Sequence, residues 1–128
     1  MYSPQVLDHF EHPRNAGALD APDATVQLEN PACGDVLKLM VRLSQQRIAE
    51  MRFQAKGCVP AIACGSALTE LVSGKTLAEA AKISRDDVLR KLGGLPDASQ
   101  HASHLAIDAL AALIKKLESQ TGRVPSGQ

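Results

Sequence analysis

The chain has 128 residues, enough for one domain with a core that needs no disulfide or obligatory metal to hold it. Fourteen Lys and Arg against fourteen Asp and Glu leave no net charge, and no long run of either sign occurs, which argues against nucleic-acid and membrane-surface partners. Two Phe, one Tyr and no Trp also deny it the stacking platforms of a single-strand binder, so metals, small molecules or proteins are the expected partners.

Residues 4–10 read as a short helix, after which His12-Pro13-Arg14-Asn15-Ala16-Gly17 and Asp20-Ala21-Pro22-Asp23 break any regular pattern. The opening segment Met1 to Asp8 has no basic start followed by an apolar run, and no later segment reaches bilayer-spanning length. A soluble, cytoplasmic protein with free thiols is expected. Period-two alternation then takes over. Val26 and Leu28 mark a first strand, Leu37, Leu39, Val41 and Leu43 a second, and Met51, Phe53 and Ala55 a third. The pattern predicts three antiparallel strands with one solvated face. Ser44-Gln45-Gln46-Arg47 closes the second hairpin, and the longer bend between the first two strands carries Cys33 and Asp35.

Past Cys58 the period becomes helical, with Cys64, Ala67, Leu68, Leu71 and Val72 on one face, Pro60 in the first turn and Gly74 as the stop. Residues 76–82 and 84–92 form two short helices with Thr76 and Ser84 as caps. A final helix from about 98 to 118 carries Leu105, Ala109, Ala112, Leu113 and Leu117 as its apolar stripe. The expected domain spans 1–118, followed by a mobile tail at 119–128. Strands followed by helices predict an α+β fold, with helices packed on one face of a small three-stranded antiparallel sheet.

The chemistry concentrates in three places. In Asn30-Pro31-Ala32-Cys33-Gly34-Asp35 a thiol and a carboxylate two residues apart occupy a Pro/Gly-bent loop, where both can face one metal. Cys58 in Gly57-Cys58-Val59-Pro60 and His101 in Gln100-His101-Ala102-Ser103 each stand where a helix begins, so backbone N–H groups and positive dipole ends are available to an anionic ligand. Cys33, Asp35, Cys58 and His101 thus make a candidate four-ligand set. Taken one by one, each cysteine is as readily a small buried hydrophobe and His101 a helix-end histidine.

Taken together, the order of Tyr2-Ser3, His12-Pro13-Arg14-Asn15-Ala16-Gly17, Pro31-Ala32-Cys33-Gly34-Asp35, Gly57-Cys58, Ala61-Ile62-Ala63, Thr69-Glu70, Gly74-Lys75 and His101-Ala102-Ser103 resembles the NifU/IscU-type iron-sulfur cluster assembly scaffolds, from about residue 2 to about residue 117. The resemblance implies a non-enzymatic scaffold that binds iron and takes sulfur from a cysteine desulfurase. It would build an iron-sulfur cluster, of the 2Fe-2S type, and pass it to recipient apo proteins. It implies Cys33, Asp35, Cys58 and His101 as ligands, zinc as the metal of a cluster-free form, and a monomer or homodimer.

This chain departs from the family where a third thiol usually follows the histidine: that position is Ala102. Cys64, six residues after Cys58, is either a core thiol on the stripe of Leu68 and Leu71 or a replacement ligand. His104, which shares a helix face with His101, is either solvent-facing or a second imidazole donor. Leu95-Pro96-Asp97-Ala98-Ser99 also lacks the family's Hsp70-type chaperone motif, so that partner is not expected. Two other functions remain open beside the scaffold: a zinc-holding sulfur acceptor, and a module that binds the desulfurase without building a cluster.

Overall fold

The computed structural model describes residues 2–32 and 34–121. They form α1 (Pro4–Glu11), β1 (Ala24–Glu29), β2 (Val36–Ser44), β3 (Arg47–Lys56), α2 (Val59–Val72), α3 (Leu77–Ala81), α4 (Arg85–Lys91), a 3-10 turn at Asp97–Ser99 and α5 (His101–Thr121). The strands pair antiparallel in the order β1-β2-β3, as the alternation predicts. β1 lies against β2 from Ala24↔Val41 to Glu29↔Val36, and β2 against β3 from Val36↔Lys56, with an irregularity at Arg42/Leu43. Gln45 and Gln46 close the β2–β3 hairpin with φ of 53° and 67°, the positive pair that a primed two-residue turn requires.

Leu37, Leu39, Val41, Met51 and Phe53 fall on one face and are buried beneath the helices. Lys38 lies on the other face between Gln27 and Gln54. One residue of this outer face departs from the expected polarity: Met40 is buried, paired between Thr25 and Arg52. It sits among long side chains that Glu50 ties together, accepting from Arg42 at 3.0 Å and Arg52 at 2.7 Å.

α2 departs further from its expected single stripe. Pro60, Ala61, Ala63, Cys64, Gly65, Ser66, Ala67, Leu68, Thr69 and Val72 are all buried, so the helix is enclosed on nearly every side. It touches α1, β3, α4 and α5. Small side chains make this possible, because they let neighbouring elements approach closely without leaving voids. At Gly65 the approach is closest: a Cβ there would stand 2.6 Å from Phe53 Cδ2.

The N-terminal loop is fastened to both layers. Gly17 N–H donates to the Phe53 carbonyl at 2.9 Å and Phe53 N–H to the Asn15 carbonyl at 3.0 Å, which covers the free edge of β3. Beneath it, Arg14 N–H donates to Ser66 Oγ at 2.8 Å, and Ser66 Oγ and His9 Nδ1 share a hydrogen bond at 2.7 Å. The other ring nitrogen, Nε2, faces Glu70 Oε1 at 3.6 Å. Burial is the largest influence on His9 and lowers its pKa, with the Arg14 charge adding to the fall.

α3 and α4 start with capping boxes, Thr76 with Glu79 and Ser84 with Asp87, at the caps the sequence predicts. α5 starts at His101 instead of near 98, because residues 97–99 tighten into the 3-10 turn. It also runs to Thr121, beyond the expected end at 118. Leu117 is buried and anchors the last turns, and no breaker follows before Gly122. Residues 119–121 of the expected tail are thus the end of α5, and residues 122–128 lie outside the described residues. No described helix is long and apolar enough to cross a membrane.

Two outcomes follow from this packing. Gly65→Ala should cost about 1–3 kcal/mol by pressing on Phe53; a urea midpoint equal to wild type would contradict the enclosure of α2. Folded His9 titrates below 6.5 and the unfolded residue near 6.5. Between those values the unfolded chain binds the extra proton, so His9 makes stability fall as pH drops below 6.5. Thermal midpoints between about pH 7.5 and about pH 5.5 should decline less steeply in His9→Asn than in wild type.

Candidate metal centre

Three elements end at one point. β1 and β2 are joined by a loop that Asn30 organises: its N–H donates to the Asp35 carbonyl at 2.8 Å, its own carbonyl accepts from Gly34 N–H at 2.7 Å, and its Oδ1 accepts from Ala32 N–H at 3.0 Å. Asp35 emerges from this loop immediately before β2 and is only 3 % exposed. Cys58 is the N-cap residue of α2, with φ −78° and ψ 168°, and Pro60 fixes the first turn behind it. His101 opens α5. Gln100 sets that start, with its carbonyl accepting from Ser103 N–H at 3.1 Å, its amide donating to the Leu95 carbonyl at 2.8 Å and its side-chain oxygen accepting from Arg85 at 2.7 Å.

One ligand atom each from Asp35, Cys58 and His101 lies within 4.8 Å of the other two, the one such set of three among the described residues. Asp35 Oδ1 accepts from Cys58 N–H at 3.2 Å, and Oδ2 accepts from the Cys58 thiol at 3.3 Å. His101 Nε2 stands 3.3 Å from the same Oδ2. It is buried and makes no hydrogen bond. A buried ring nitrogen without a hydrogen-bond partner, directed at a carboxylate and a thiol, is the arrangement a cation would complete. Burial pushes the Cys58 thiol up, and the Asp35 carboxylate raises it further, while the Ala61 backbone N–H pulls it down. Desolvation, with the carboxylate added to it, thus outweighs the backbone N–H groups at the start of α2. A bound cation would reverse this balance, because it stabilises sulfur and carboxylate together.

Of the candidate set, Asp35, Cys58 and His101 lie together, while Cys33 lies outside the described residues. Cys64 does not join them: it is fully buried in the core, and burial pushes its thiol up to about 12. His104 is exposed, beside a shallow recess it shares with Glu29, Asn30 and Asp108, and is outside the convergent set. Ala102, where the family carries a thiol, is buried too. Sequence reasoning assigned no role to Gly57, although a glycine directly before a ligand cysteine signals a close approach.

Alkylation of the folded, metal-free chain should label Cys58 and spare Cys64 until global unfolding, read by peptide mass mapping. Cys64→Ala should keep metal affinity within about twofold of wild type; a loss resembling that of Cys58→Ala would make Cys64 a ligand.

A family model described as the NifU-like N terminal domain matches residues 1–124. The chain is 43% identical over 124 residues to the iron-sulfur cluster assembly scaffold protein IscU 1 of Archaeoglobus fulgidus, covering 97% of this chain and 81% of that protein. It is 41% identical over 127 residues to the iron-sulfur cluster assembly scaffold protein IscU of Azotobacter vinelandii, covering 96% and 98%. In fold it is similar to the N-terminal part of a nitrogen-fixing NifU-like protein from Brucella abortus, with TM-score 0.74 and 20% identity over 92% of this chain and 94% of that one.

Proposed function

The chain belongs to the NifU-like N-terminal domain family, and from that premise we propose that it is a scaffold on which an iron-sulfur cluster is assembled and from which it is passed on. The observation that carries this reading is the convergence of Asp35, Cys58 and His101 within 4.8 Å, with His101 Nε2 buried and without a hydrogen bond. Iron and sulfide are the substrates and the cluster is cargo. The protein's part is to offer donors, orient them and exclude competing ligands, without turning over a bond of its own.

Cys33, Asp35, Cys58 and His101 make a four-donor set that suffices for a 2Fe-2S unit. A carboxylate and an imidazole bind iron less firmly than two further thiolates, which suits cargo that must leave. The same donors suit tetrahedral zinc in the cluster-free form. The sulfur donor is a cysteine desulfurase and the recipients are apo iron-sulfur proteins, in the cytoplasm. With Ala102 in place of the third family thiol, Cys58 is the described thiol positioned to accept sulfur, since Cys64 is sealed in the core.

Anaerobic reconstitution of the untagged chain with iron and a sulfide source tests this directly. Near-stoichiometric iron and acid-labile sulfide, transferable to an apo-ferredoxin, are expected. Zinc retained with no cluster formed would sink the scaffold reading and favour a zinc-holding sulfur acceptor.

A further inference from the structure

Gly57 stands directly across the sheet from Asp35. The Val36↔Lys56 pair is the last of the β2–β3 register, and one step beyond it on each strand are Asp35 and Gly57. Side chains at facing positions of an antiparallel pair contend for the same space. Here the contention is severe: a Cβ on residue 57 would lie 2.0 Å from Asp35 Oδ1, 2.7 Å from its Cγ and 3.2 Å from its Cα. The Asp35 carboxylate occupies the volume that any side chain at 57 would take.

The backbone makes a second, separate demand. Gly57 has φ of +144°, which side-chain-bearing L-residues rarely adopt. This conformation turns the chain out of β3 so that Cys58, the next residue, caps α2 with its N–H directed at Asp35 Oδ1. One glycine therefore both leaves room for the carboxylate and aims the N–H and thiol that the carboxylate receives.

We propose that Gly57 is a positioning residue of the metal centre: its missing side chain seats the Asp35 carboxylate between Cys58 and His101. The proposal rests on the reading of Asp35, Cys58 and His101 as ligands. A side chain at 57 expels the carboxylate from the site while leaving the thiol and the imidazole in the sequence. Gly57→Ala should then behave as a loss of Asp35 with Asp35 still present.

Anaerobic cobalt(II) titration of wild type, Asp35→Ala, Gly57→Ala and the double variant tests this, followed through the thiolate charge-transfer and d-d bands. Gly57→Ala should weaken cobalt binding by at least the factor that Asp35→Ala does, about tenfold or more. Both should lose the wild-type d-d bands, and the double variant should bind cobalt more tightly than the product of the two single effects predicts, because the steric part of Gly57→Ala needs Asp35. Wild-type affinity and bands in Gly57→Ala, or a double variant that loses the product of the two single effects, would overturn the proposal.

Thermal midpoints of the metal-free proteins supply a second readout. Gly57→Ala should lower the midpoint more when Asp35 is present than when it is Ala, because the carboxylate is the group it strikes. If Gly57→Ala does not fold in buffer, it should need more sucrose to fold than the double variant does; an equal requirement would refute the positioning role. Should none of the four proteins bind cobalt, the ligand reading fails, and the midpoints still decide the steric coupling.

Discussion

The thinness of α2 is the constraint on which the rest of the molecule depends. A helix enclosed by α1, the sheet and α5 has no room for large side chains on most of its surface, and its sequence supplies Ala61, Ala63, Cys64, Gly65, Ser66 and Ala67 in succession. Phe53 occupies the space that Gly65 gives up. Both ends of the functional arrangement hang from this contact. The N-terminus of α2 presents Cys58, and its middle presents Ser66 and Thr69 to the Arg14–Asn15 loop, which in turn lies along β3. A thicker helix would move the cysteine away from the carboxylate that β2 delivers and would lift the loop from the sheet edge.

What was legible in the sequence was local. Alternation in Leu37, Leu39, Val41 and in Met51, Phe53 gives the strands and their faces, and Thr76 with Glu79 and Ser84 with Asp87 give the short helices, because each signal and its structure lie within a few residues. The all-round burial of α2 was not legible, since alanine, glycine and serine carry little hydropathy and the helix reads as a narrow stripe. The burial of Met40 was not legible for a related reason: its neighbours across the strands, Thr25 and Arg52, depend on the register.

For the site, the residue types and their family order pointed to Asp35, Cys58 and His101, and the structure brings those three together. Their convergence could not be derived from spacing, because it depends on where β2 pairs with β3 and how Gln100 fixes the start of α5. His9 illustrates the same limit. Its partner Ser66 is 57 residues away, so nothing near His9 in the chain marks it as a buried, neutral histidine. Cys64 shows the converse, a chemically suggestive residue that three-dimensional packing makes inert, with its thiol pushed up to about 12.

The covering of β3 by Asn15 to Gly17 has its counterpart at the other edge of the sheet, where Lys116 Nζ donates to the Thr25 carbonyl of β1 at 2.7 Å. A strand with occupied backbone groups cannot serve as a template for another strand. At these positions an approaching extended chain meets backbone groups already taken, which works against the backbone-to-backbone addition that accepts almost any extended peptide. Blocked positions along both edges thus shift association away from extended chains in general and toward a surface complementary to this one.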